Sequence, residues 1–231
     1  AMAVLSKRLE WRRGDACAPP SWGWLSSWWR TGRWAGLVCL LRNFCFATFI
    51  IRPVNTLRGA GVYWIANQFI WGWLLLPFIP LTQLLQQRVA SAGQNPAARV
   101  YLAKVYASLA LAIFVLWCAT MPGWGSFFKL VMNVQQPQAE LQLIGWLLPF
   151  YLPYMLAALT DSFYYGSGNA FPVVIATVLT NVGVYGCAFM LSRAGMFLFT
   201  MHSVANLFGT GMLVGVLARF VLLWLPARST N

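Results

Sequence analysis

Acidic side chains are almost missing from this chain. Four Asp and Glu stand against sixteen Lys and Arg in 231 residues, with a single histidine, His202. So few proton-exchanging groups give no acid–base pair at a workable spacing, and the chain reads as not an enzyme. The five cysteines, Cys17, Cys39, Cys45, Cys118 and Cys187, form no Cys-x-x-Cys pair, and four of them sit in apolar runs. They read as small buried hydrophobes, so no metal site and no cofactor are expected. Gly166-Ser167-Gly168-Asn169 has no Lys-Ser or Lys-Thr after it, which leaves turn chemistry rather than a phosphate loop. Charge is scarce overall, at 9% of residues, against about 25% in an ordinary soluble domain. The basic excess lies between apolar runs and not along one contiguous face, which excludes nucleic acid as a partner.

What is abundant is apolar sequence, 60% of residues, gathered into long runs. Runs over 34–56, 63–81, 100–121, 141–160, 171–191 and 196–225 each approach the roughly 20 residues that a helix needs to cross hydrocarbon. The fold class is therefore all-α: a polytopic membrane protein with six transmembrane helices forming one bundle over 34–225. Residues 1–33 hold Lys7, Arg8, Arg12, Arg13, Arg30 and Arg33 among Trp11, Trp22, Trp24, Trp28 and Trp29. Such a basic, Trp-rich segment settles on the headgroups, although a mobile tail or a linker has the same composition. It lacks the apolar centre of a secretory signal. The chain starts with Ala1 rather than Met, a hint that a longer protein was cut, and residues 226–231 form a short tail.

Polar groups inside the runs are the candidate functional residues, because unsatisfied ones cost several kcal/mol in hydrocarbon. In the first run Arg42, Cys45, Phe49, Arg52 and Thr56 recur three and four apart and share a face. Arg42 either turns inward or snorkels to the near interface. In the second, Tyr63, Asn67 and Trp71 follow at i, i+4 and i+8, with Gln68 beside them. The run breaks at Pro77 and Pro80 and enters a polar loop with Arg88, Gly93, Asn95 and Arg99. A loop is expected over 122–140, and Pro149 and Pro153 should kink the fourth helix. Asp161 closes that run: it is a cation or proton site if intramembrane, and more plainly a solvated loop residue. Asn181 and Tyr185 lie one turn apart in the fifth run, and Gly211 and Gly215 in the sixth let helices approach closely. His202 reads as an interfacial or packed side chain rather than a proton relay.

Basic residues set the orientation. With a cytoplasmic N-terminus and six spans, eleven fall on that side: six in the first segment, then Arg88, Arg99, Lys104, Arg219 and Arg228. Four fall opposite: Arg52, Arg58, Lys129 and Arg193. Both termini are therefore expected in the cytoplasm of a cell membrane, with a bacterial inner membrane as the setting.

Ala66-Asn67-Gln68, Leu76-Pro77, Gln83 and the loop Ala92-Gly93-Gln94-Asn95 through Arg99, followed by Gly166-Ser167-Gly168, Asn181 and Tyr185, carry a resemblance. Over about residues 30–225 the chain resembles the second half of a multidrug and toxin extrusion (MATE) transporter, whose members join two bundles of six helices. The resemblance implies a partner, either a second six-helix half or a homodimeric copy, with solute held at the midplane between bundles. It implies ion-gradient-driven export of a small amphipathic or cationic solute by alternating access, with a proton or sodium ion as coupling ion and lipids as surroundings. The substrate-binding residues are then Tyr63, Asn67, Trp71, Tyr154, Asn181 and Tyr185, with Arg42 as the charged contact. The family's carboxylates of the first and fourth helices fall near Arg42 and Tyr154 here, and the Arg before its first loop glycine is Tyr165. An arginine at the centre suits an anion or a lipid phosphate, which keeps a flippase for a lipid-linked anionic headgroup as an alternative. A non-transporting scaffold or truncated half-transporter is the third.

Overall fold

The computed structural model describes residues 22–57 and 59–224, apart from the side chains at 24, 27, 30, 31 and 224. Most of the expected headgroup segment, and the tail at 226–231, lie outside the described residues. The described chain is helical, with no strand. In an apolar solvent only a helix satisfies every backbone amide within its own segment, so long apolar runs leave the chain no other choice.

Helix α1 (Gly23–Cys45) passes through a π-helical turn, Phe46–Ile51, into α2 (Arg52–Asn55). Helix α3 (Ala60–Phe69) passes through a second π turn, Ile70–Leu74, and meets α4 (Phe78–Ala92) at a bend of 49°. Pro77 is the break. Pro80 sits in the first turn of α4, where its missing N–H costs nothing, so it does not interrupt the helix as the sequence reading has it. Helix α5 (Pro96–Leu130) starts where the Asn95 side chain accepts the Ala98 N–H at 3.2 Å, with proline in the first turn. Helix α6 (Gln138–Gly166) follows, then α7 (Phe171–Val178), a third π turn Leu179–Gly186, α8 (Cys187–Arg193) and α9 (Met201–Trp224). Five connections each contain one residue at positive φ, Gly59, Gly93, Asn133, Gly168 and Gly195, whereas the bend before α4 has none.

Three expected boundaries move. Arg88 lies in α4 and Arg99 in α5, so the expected polar loop shrinks to 93–95. Helix α5 continues through Pro122 to Leu130, so the connection is 131–137 and not 122–140. A proline removes one backbone bond, too little to end an apolar helix held on both sides of it. Helix α6 likewise runs past residue 160 and through Pro149 and Pro153, carrying Asp161 inside it.

Among the described residues, five helices are long and apolar enough to cross a membrane, or six if the bent pair α3–α4 is one span. The chain is thus built as a multi-pass membrane protein. Helix α6 is the axis: it packs on α3, α4, α5, α7 and α9, and its buried side chains run from Glu140 to Tyr164. Outward faces are apolar, as with Leu40, Phe44, Leu116 and Leu130, which suits hydrocarbon rather than water.

Candidate functional site

A cavity of about 430 Å³ opens between α1, α3, α6, α7 and α9. All seven residues singled out in the sequence line it: Arg42 from α1, Tyr63 and Asn67 from α3, Trp71, Tyr154 from α6, Asn181 and Tyr185. Three of these, Trp71, Asn181 and Tyr185, stand on π turns, and the remaining π turn supplies Phe46 to the same wall. A π turn adds a residue to a helical circuit and widens it there, so each interrupted helix turns an extra side chain toward the opening. The aromatic wall is held by edge contacts, with Trp71 on Tyr154 at 5.6 Å, Tyr151 on Tyr154 at 5.7 Å and Tyr63 on Trp64 at 5.0 Å between ring centroids.

At one end of the cavity lies an ionic centre. Arg219 of α9 donates from Nε to Asp161 Oδ1 at 2.5 Å and from Nη2 to Oδ2 at 3.0 Å, the parallel two-bond fork that guanidinium and carboxylate favour. Its Nη1 donates to the Gly215 carbonyl at 2.8 Å. Arg42 donates from Nη2 to the same Oδ2 at 3.0 Å. Asp161 and Arg219 are buried, whereas the Arg42 side chain keeps 51% of its exposure. Two expectations are corrected here. Asp161 is not a solvated loop residue, because α6 continues past it and two guanidinium groups satisfy its charge. Arg219 is not on the cytoplasmic surface; removing it from the eleven basic residues of that side leaves ten against four.

Arg42 therefore lines the cavity, tied by one hydrogen bond to Asp161. Gly211 and Gly215 serve the same centre. A Cβ at Gly211 would overlap the Tyr185 ring, and one at Gly215 would press on Thr180 and on the Arg219 guanidinium. Sequence reasoning missed the Asp161–Arg219 pair, although the spacing Gly211, Gly215, Arg219 on one helical face was the available signal. His202 lies outside the cavity, its ring 3.6 Å from that of Trp146. Among the described cysteines only Cys45 is buried; Cys39, Cys118 and Cys187 are exposed, so the expectation of small buried hydrophobes fails for these three.

The charge of the centre sums to one positive unit, two guanidinium groups against one carboxylate. A unit charge 4 Å from a second one interacts by about 4 kcal/mol at the effective dielectric of a partly wet protein site. Each ring face offers a cation only about 0.5–2 kcal/mol. Close to the centre, then, repulsion outweighs the rings for a cationic group. Elsewhere on the wall Tyr63 Oη, Thr177 Oγ1 and Thr180 Oγ1 are buried without a hydrogen-bond partner. Buried hydroxyls of this kind are costly unless something occupying the space pairs with them. Compared with known protein families, curated proteins and solved structures, the chain matches none.

Proposed function

We propose that this chain is one bundle of a MATE-like secondary transporter that exports a small amphipathic solute across a cell membrane by alternating access. The observation that carries the reading is the cavity itself: a space of about 430 Å³, walled by aromatic and amide side chains within a set of apolar helices, with three unpaired buried hydroxyls facing it. That volume lies in the range of small-molecule sites, roughly 300–1,000 Å³. Three helices from separate parts of the chain meet at Asp161 through side chains alone, and such a junction can part and re-form as helices shift.

Transport of this type needs a second bundle facing the first, and a second copy of the chain or another six-helix half fills that place. The energy source is an ion gradient, carried by a proton or a sodium ion as the resemblance implies. The ten-to-four bias of basic residues supports cytoplasmic termini and an inner-membrane setting.

The test uses the full chain in proteoliposomes loaded with a cationic dye, rhodamine 6G, or an anionic one, carboxyfluorescein, under an imposed proton or sodium gradient. Gradient-dependent movement of either dye, slowed at least about tenfold in Asn67→Ala or Trp71→Ala, is expected. If neither gradient moves either dye, the transport reading fails.

A further inference from the structure

The ionic centre separates into two parts of different character. Asp161 and Arg219 form a closed pair: both are buried, two hydrogen bonds join them, and the third donating nitrogen of Arg219 is taken by Gly215. Taking Arg42 away would leave that pair intact and neutral. Arg42 is the surplus. Only its Nη2 is engaged, on a carboxylate oxygen already bonded to Arg219, and half of its side chain stays accessible beside Asn43, Tyr154 and Asn181. A guanidinium has five N–H donors in a planar fork, so most of this one's donors are unspent.

We infer that the cavity receives the acidic group of an amphipathic anion, a carboxylate or a phosphate monoester, on the free edge of Arg42. The inference rests on the cavity being a solute site, as proposed above. Two oxygens on one centre match the guanidinium fork and neutralise the one uncompensated charge of the site. The apolar body of the anion lies against Trp71 and Tyr154, and its polar substituents meet Tyr63 Oη and Thr177 Oγ1, which lack partners within the protein. On binding, the free donors of Arg42 take the incoming acid while Nη2 and Arg219 keep Asp161 in place.

An acid of this description belongs to a soluble metabolite or to a lipid headgroup, and the arms of the experiment separate the two. Binding to the full chain in nanodiscs is measured by calorimetry for 1-naphthoate and 1-naphthyl phosphate as soluble anions, 1-naphthylmethylammonium as the matched cation, and dioctanoyl phosphatidic acid as the lipid. At least one anion is expected to bind about tenfold or more tightly than the cation, and Arg42→Gln removes that preference. Arg42→Lys, which keeps the charge and loses the fork, restores part of it. Trp71→Ala weakens anion and cation alike. A preference for phosphatidic acid over the naphthyl anions identifies a lipid, and the reverse identifies a soluble acid; both support the inference. Tighter binding of the cation, or an unchanged anion affinity in Arg42→Gln, overturns it while leaving the cavity as a solute site. Failure of every probe overturns the inference and the cavity reading together.

Discussion

Arg219 and Arg42 share one carboxylate but differ in what their loss would expose. Removing Arg219 strips two of the three hydrogen bonds from a buried Asp161 and leaves it facing a half-exposed partner. Breaking a buried pair from one side costs about 3–5 kcal/mol. Arg219→Ala is therefore expected to lower the thermal unfolding midpoint in detergent far more than Arg42→Gln; equal losses would show that the two arginines hold Asp161 equally. Glu140 is a different case. It is buried in the first turn of α6, where an acid normally reaches back to the N-terminal cap, but the cap is Pro137, which has no N–H, and Glu140 Oε2 has no partner. The helix dipole returns about 0.3–1 kcal/mol for a negative charge there, less than the roughly 1–3 kcal/mol of an unsatisfied buried group. Glu140→Gln should stabilise the protein by about 1 kcal/mol in the same assay, and a loss of that size would mean the carboxylate has a partner after all. Residue by residue, the cavity wall was legible because amides and an arginine inside apolar runs have few places to go. Asp161 and Arg219 were not, since each sits within a few residues of where an apolar run gives out, and hydropathy cannot tell a buried ion pair from a solvated loop.

The helices themselves are interrupted where the cavity is. All three π turns, Phe46–Ile51, Ile70–Leu74 and Leu179–Gly186, put side chains on its wall. Nothing in a hydrophobic pattern reports a π turn, because the change is one of hydrogen-bond register and not of residue type. Helix ends were misjudged for a related reason: Pro122 looks like a terminator, yet α5 continues through it. Packing at the helix ends depends on missing side chains. A Cβ at Gly166 would stand 2.6 Å from the Gln86 carbonyl oxygen of α4, and one at Gly211 would overlap Tyr185, whereas Gly183 has open space around it. Gly166→Ala and Gly211→Ala should each destabilise by about 1–3 kcal/mol, with Gly183→Ala near neutral. Gly211→Ala should also weaken probe binding, because the Tyr185 ring that it displaces lines the cavity. If Gly211→Ala lowered neither stability nor binding, the close approach of α9 to the third π turn would be wrong.

At the scale of the whole molecule, five crossings and six differ in the side on which they place each connection. Helices α3 and α4, with the π turn between them, make two arms of about 15 residues, each roughly 22 Å long at 1.5 Å per residue. A re-entrant pair must turn back on itself, close to a full reversal. The arms here differ in direction by 49°, so the second continues the first and together they cover more than the roughly 30 Å of a bilayer core. Six crossings, the arrangement expected from the sequence, carry a definite pattern of sidedness. In a cysteine-free background, single cysteines placed at Asn95 and Ser167 should label from the same face as the termini with a membrane-impermeant maleimide. Cysteines at Asn133 and Ala194 should label from the other face. If α3–α4 instead returned to its own side, Asn95 and Ser167 would appear opposite the N-terminus, and the C-terminus with them. That outcome would leave the cavity lining in place but put its ionic centre, set by Asp161 and Arg219 near the ends of α6 and α9, at the opposite face from the N-terminus.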